Sequence, residues 1–348
     1  MTNEEVIKEI RQLYRGQCPS CDISKILIQH KCHCLLNYLP KFPGKEIYLL
    51  QKSMYSMTVK NSFQACKSTF EQYKYPYAII KGPVLSKAVY GDAFNRFSSD
   101  LDILIRRKDI ENWKYVLQAN GFVQGRITNN EIKPYNRKEL VFYSSATHQL
   151  APFVKDLHNN MCRFVILDVN MEILWGESEE KSDMDFVLSH TREDELFNVI
   201  YRKLTPEMEF VSLCLHHYKD MNSLYLLSKG SLRLNLFCDI YDYLLNVRPN
   251  KQKILEICKH LQVGKYVYAC LLQTNIIFDS NVITDYMDIL VQYKDNKLID
   301  TFGLNDEERK PWSINLIDRL FYPNLQEYLR MYLTKDELEK IQINYKMI

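Results

Sequence analysis

Two aspartates, Asp100 and Asp102, stand two residues apart at the head of the apolar run DLDILI. Side chains two apart on a strand project to the same face. The two carboxylates are therefore expected side by side, with Leu101, Ile103 and Ile105 turned the other way into a core. Carboxylates held this close repel, and the simplest compensation is a divalent cation that both ligate. Upstream, Lys81-Gly82 follows the run YAII and precedes Pro83, the pattern of a strand, a glycine turn and a helix start. Such a turn lets backbone N–H groups approach an anion, and the helix adds its positive end. Arg96, four residues before Asp100, suits bidentate contact with a phosphate. A third acid, Asp168, interrupts the apolar stretch FVILDV, where an acid is either ion-paired or functional. These residue types together describe metal-assisted phosphoryl chemistry. Asp100, Asp102 and Asp168 are the candidate metal-binding and catalytic carboxylates, and Asp168 is also the candidate proton acceptor. Lys81, Gly82, Ser86, Arg96 and Ser99 are the candidate phosphate-binding set.

The elements that must position these residues read as follows. YAII (77–80) is a strand, PVLSKAVY a helix, residues 91–99 a loop and DLDILI a second strand. KDIENWKYVLQAN is a helix closed by Gly121. LVFYSS (140–145) and RFVILDVN (163–170) read as further strands. Strands alternating with helices over this span predict a compact α/β or α+β catalytic module. Before it, the first seventy or so residues read as helical: Thr2 and Glu5 have capping-box spacing, and 46–73 holds no proline or glycine. After Trp175 the pattern is helical again, with Thr205-Pro206-Glu207 a strong helix start and 232–245 a further amphipathic helix. The expected division is a helical segment 1–73, a catalytic core 74–178 and a C-terminal helical domain 179–348.

The bulk composition narrows the function classes. A chain of 348 residues has room for two domains, and 46% hydrophobic residues supply real cores. The net charge of +2 gives no broad attraction to nucleic acid or an anionic membrane. The N-terminal stretch has no apolar signal-like region and no run reaches membrane-spanning length, so a cytoplasmic protein with ten reduced cysteines is expected. Cys18 and Cys21 form a CxxC, and Cys32 and Cys34 flank a histidine, a combination that could hold zinc. SKILIQHKCHCLLNYL, however, reads as one continuous amphipathic helix that sets Cys32 and Cys34 on different sides, so the four are read as core and surface thiols.

The stretch KGPVLSKAVYGDAFNRFSSDLDILI resembles the nucleotidyltransferase superfamily with the DNA-polymerase-β-like catalytic fold, and in particular its bacterial "uncharacterised nucleotidyltransferase" branch. That branch shows a KG turn followed by R-x-x-x-D-I-D-L-L-V, which Lys81, Gly82, Arg96, Asp100 and Asp102 match. His148 in THQLAPF, Asp168, and LCLHHYKD followed by LRLNLFCDI extend the likeness, carrying His216, Arg233 and Asp239 as family-like positions that line a nucleotide or acceptor pocket. Buried hydrogen bonding or helix tying is the plainer reading of these last residues. The chain departs from the family in its KGP turn and in Asn170, where a histidine commonly follows the acid. The resemblance implies an α+β fold with a polymerase-β-like mixed-sheet core between N- and C-terminal helical segments. It implies a Mg²⁺ cofactor, with Mn²⁺ as the substitute, and an NTP donor, taken as ATP on abundance. The implied reaction transfers an NMP to a hydroxyl of a peptide or small molecule with release of pyrophosphate. The alternatives are an RNA 3′ end as acceptor, in the manner of toxin-like relatives, and a non-catalytic nucleotide- or peptide-binding protein.

Overall fold

A computed structural model describes residues 1–159, 162–176, 178 and 181–347. It contains a mixed sheet of eight strands in an α+β chain: β1 (Tyr77–Ile80), β2 (Leu101–Ile105), β3 (Val123–Thr128), β4 (Glu131–Pro134), β5 (Phe153–Asp156), β6 (Phe164–Asn170), β7 (Thr191–Leu196) and β8 (Val199–Leu204). Their order is β4-β3-β5-β6-β2-β1-β8-β7. Two of the pairings are parallel, β2 with β6 and β1 with β8, and the rest are antiparallel. β1 and β2 are buried at every position, as central strands of a two-sided sheet should be.

One face of the sheet is the core. Leu101, Ile103 and Ile105 of β2 meet Ile79 of β1, Val165, Leu167 and Val169 of β6, and Val199 and Tyr201 of β8. The helix Lys45–Gln72 covers them through Val59, Phe63, Cys66 and Phe70, spaced by four, three and four residues as one helical stripe requires. Trp113 and Leu117 of the helix Ile110–Ala119 close the same layer. The alternation of β2 therefore sends Asp102 to the opposite face.

Contacts divide the chain into one compact unit, Gly44–Glu209, and another made of Met1–Pro43 with Phe210–Ile348. The boundaries thus differ from the expected 73 and 178. The helix Lys45–Gln72 is the cover of the sheet, and the sheet runs on to Leu204 because β8 pairs with β1.

Three local expectations are corrected. Residues 140–145 are not a strand but part of the helix Arg137–Ala146, which Asn136 and Glu139 start with a reciprocal capping box. The region after Trp175 is not wholly helical. Residues 191–204 form the β7–β8 hairpin, with Phe197 and Asn198 both at positive φ, the requirement of a two-residue type I′ turn. Residues 24–39 are not one helix either: Ser24–Gln29 and His33–Leu36 are separated by Lys31 at φ 55°. In the same unit Cys32 is buried 3.9 Å from the Cys238 sulfur and Cys34 is buried, whereas Cys18 and Cys21 are exposed. Among the described residues these four cysteines form no metal-ligating cluster. No helix among the described residues is long and apolar enough to cross a membrane.

Candidate active site

β1 ends in a strained turn. Lys81 has φ 56° and ψ −153°, a region populated almost only by glycine, and Gly82 follows at φ 45°. Holding a lysine there costs about 1–3 kcal/mol. The turn starts the helix Gly82–Tyr90, with the Lys81 carbonyl accepting from the Leu85 N–H at 3.0 Å and Pro83 in the first turn. The same turn brings the Lys81 Nζ to 3.4 Å from Asp102 Oδ1. A cation is thus delivered to the non-core face by a backbone that no side chain favours.

Asp102 is 9% exposed and its Oδ1 also accepts from the Asn170 amide at 3.1 Å. Asn170 is held in turn. It is 2% exposed, and its Oδ1 accepts from Gln149 Nε2 at 2.8 Å. The parallel pairing of β2 with β6 sets Asp102 opposite Asp168 and Leu104 opposite Asn170. Residues directly opposite share a face, so Asp102 and Asp168 stand together on the face away from the core. Asp100 lies just before β2, where its carboxylate accepts from Ser98 Oγ at 2.9 Å and Ser99 Oγ at 3.3 Å. Burial raises its pKa above the ordinary carboxylate range and the Asp102 charge adds to the rise, while Ser98, Lys81 and Ser99 oppose it.

The other expected residues fall into place less uniformly. Ser86, expected as a phosphate donor, is engaged with its own loop. It is fully buried, its hydroxyl donates to the Asp92 carbonyl at 2.8 Å, and it accepts from the Asn95 and Arg96 N–H groups. Ser99 gives its hydroxyl to Asp100. Arg96 stands in the loop between the helix Gly82–Tyr90 and β2, its carbonyl accepting from the Tyr55 hydroxyl at 3.1 Å. His148 lies beside the carboxylate strand through its backbone, the carbonyl accepting from the Met171 N–H at 2.8 Å. His216, Arg233 and Asp239 belong to the other unit. There Asp239 meets His217, and Arg233 is the N-cap of the helix Leu234–Asn246. Ser98, Tyr55 and Gln149 are supporting residues that the sequence does not point to, and Asn170, noted there only as a departure, joins them. Tyr55 accepts the Ser98 N–H at 3.0 Å and so fixes the serine that holds Asp100.

This donor set suits a hard divalent cation. It is all oxygen, and Mg²⁺ is commonly held by one or two carboxylates together with substrate phosphates rather than by a full protein cage. Asp100 and Asp102 could supply two such carboxylates, and they lie close enough that the Asp102 charge raises the pKa of Asp100. Asp168 is not drawn into a tight trio with them. Among the described residues, the ligand atoms of Asp100, Asp102 and Asp168 do not all lie within 4.8 Å of one another.

A family described as "Uncharacterised nucleotidyltransferase" matches residues 48–279, a span that contains every candidate site residue named above. Among solved structures, the chain is similar to the crystal structure of an antigenic nucleotidyltransferase-like protein from Paracoccidioides brasiliensis. The identity is 12% over 68% of this chain and 94% of that chain, with a TM-score of 0.34. No curated protein matches the chain.

Proposed function

The chain belongs to the uncharacterised nucleotidyltransferase family, and on that premise we propose that it transfers an NMP from an NTP to a hydroxyl acceptor. The observation that carries the reading is the register of β2 and β6, which sets Asp102 and Asp168 abreast on the face away from the core. The acceptor oxygen attacks the α-phosphorus in line, the bond from that phosphorus to the β-phosphate oxygen breaks, and pyrophosphate leaves. Asp168 takes the proton from the acceptor hydroxyl. Lys81 supplies positive charge where the triphosphate lies, and Arg96 is the second phosphate contact. Asn170 and Ser98 fix the carboxylates of Asp102 and Asp100. A Mg²⁺ ion, held by Asp100 and Asp102, would screen the phosphate charge and orient the triphosphate.

ATP is the proposed donor and a peptide or small hydroxylated molecule the proposed acceptor. A net charge of +2 is low for a protein that must hold RNA tightly. Ten cysteines, none of them joined in a disulfide, are in keeping with a cytoplasmic setting. The test is incubation with each NTP, Mg²⁺ and cell extract, followed by intact-mass analysis. An NMP-sized gain on an acceptor with release of pyrophosphate is expected, abolished by Asp102→Asn and by Asp168→Asn. A phosphate-sized gain would mean kinase chemistry. Mg²⁺-dependent ATP binding in calorimetry with no transfer to any acceptor would favour a binding protein.

A further inference from the structure

The helix Pro206–Asn222 carries a second group of ligating side chains, remote in kind from the carboxylates of the sheet. At 3.6 residues per turn, positions three and four apart share a face, so Asp220 lies one turn beyond His216 and His217 and between them. One ligand atom from each of the three lies within 4.8 Å of the others, the one such group among the described residues. His216 Nε2 is 3.4 Å from Asp220 Oδ2, and the two imidazole rings are 5.5 Å apart between centroids. Ligands held about 2.0–2.1 Å from a tetrahedral ion are separated by about 3.3 Å, so the first pair already has that spacing.

The second observation is independent of the cluster. His217 is fully buried, its Nε2 is 3.2 Å from the buried Asp239 Oδ2, and its Nδ1 has no hydrogen-bond partner among the described residues. An imidazole that donates Nε2–H to a carboxylate keeps a lone pair on Nδ1. Leaving a buried nitrogen without a partner costs about 1–3 kcal/mol. A carboxylate on one nitrogen and nothing on the other is the arrangement that orients a metal-binding histidine.

We propose that His216, His217 through Nδ1, and Asp220 bind a divalent transition-metal ion, with Asp239 as the positioning residue for His217. Two imidazoles and one carboxylate favour Zn²⁺ over Mg²⁺, and three protein ligands leave a fourth position for water. This site uses none of the groups given a role in the transfer step above, although His216 and Asp239 are among the positions the family resemblance points to, and it stands whether or not that reaction is found.

The test is calorimetry of the full chain with Zn²⁺ on a Cys18→Ser, Cys21→Ser background, which removes the exposed thiols. One ion per chain is expected. His216→Ala, at a partly exposed position, and Asp220→Ala should each weaken binding by more than about 100-fold with the thermal melt of the metal-free protein retained, and Asp239→Asn by about 10–100-fold with one ion per chain retained. Co²⁺ in place of Zn²⁺ should give visible ligand-field bands without thiolate charge transfer. Failure of the background protein to bind Zn²⁺, an affinity unchanged by His216→Ala, or a thiolate band with Co²⁺ would each overturn the site.

Discussion

Replacing Asn170 by aspartate changes almost no volume and reverses the sign of one contact. The amide Nδ2 that donates to Asp102 Oδ1 at 3.1 Å becomes a carboxylate oxygen facing another carboxylate. The lost charge-assisted hydrogen bond is worth about 1.5–3 kcal/mol. Two unit charges about 4 Å apart at an effective dielectric of 20 add repulsion of about 4 kcal/mol. The pair will escape part of this by sharing a proton, so a net loss of about 2–4 kcal/mol at pH 8 is expected, which is on the order of 10 °C in Tm for a unit of this size. The pH dependence follows from the raised carboxyl pKa of the folded variant. Its folded state binds more protons than its unfolded state, so its stability is greatest below the unfolded carboxylate pKa and falls as pH rises through the folded value. Once protonated, the carboxyl introduced by Asn170→Asp also restores a donor to Asp102. Thermal melts of both proteins across pH 5 to 8 measure the difference, with Asn170→Ala as the control that loses the bond at every pH. A deficit as large at pH 5 as at pH 8, or no deficit at pH 8, would refute the assigned contact. Millimolar Mg²⁺ should narrow the deficit if the carboxylates hold the ion.

The remaining predictions follow from single contacts. Lys203 and Glu209 form an ion pair at 3.1 Å with 1% and 6% of their side chains exposed, so Lys203→Met should cost about 3–5 kcal/mol in urea unfolding, and adding Glu209→Leu should recover most of it. A double variant no better than the single would show that the lysine matters for packing alone. At Lys81 the usual order of substitutions should invert, with Lys81→Gly more stable than Lys81→Ala by about 1 kcal/mol or more, because alanine keeps the strained backbone without the ion pair to Asp102. Equal stabilities in denaturant melts would deny the strain. Ser98→Ala removes a hydrogen bond that lowers the Asp100 pKa, so carboxyl NMR should find Asp100 titrating higher still, and an unchanged midpoint would remove Ser98 from the site.

Much of the centre of this fold is legible in the residue pattern because burial there is decided by alternation. DLDILI has to place Leu101, Ile103 and Ile105 on one face, and they do meet the core that the helix Lys45–Gln72 covers. The errors fall where local chemistry outweighs apolar content. LVFYSS looks like a strand until Asn136 and Glu139 are read as a capping box, a signal present in the sequence and passed over. The β7–β8 hairpin turns through Phe197-Asn198, and a phenylalanine at positive φ carries no turn signal of its own. Ser86, a hydroxyl one turn into a helix after a glycine turn, also ties the loop it touches, a contact that spacing alone does not state. Which strands pair, and in what register, is a long-range outcome that periodicity cannot state. The alignment of Asp102 with Asp168 is therefore a gain of the structure.

That alignment also explains why Asn170, the departure from the family pattern, need not be a loss. A histidine or an asparagine two residues after the acid occupies the same side of β6 as the acid, and here the Asn170 amide reaches Asp102 from that side. Asparagine meets the need with a neutral donor whose other end is fixed by Gln149, so the orientation of Asp102 is set from two sides, by Lys81 and by Asn170. Lys81 meets Asp102 directly, and burial followed by the Asp102 charge raises the pKa of the neighbouring Asp100. The backbone strain at Lys81 is spent on a cation that reaches Asp102. A strained lysine beside crowded carboxylates is poorly explained as a stabilising device, since a hydrophobic face would hold the sheet with less cost. On the proposed nucleotidyl transfer, that lysine is kept for the triphosphate it would meet.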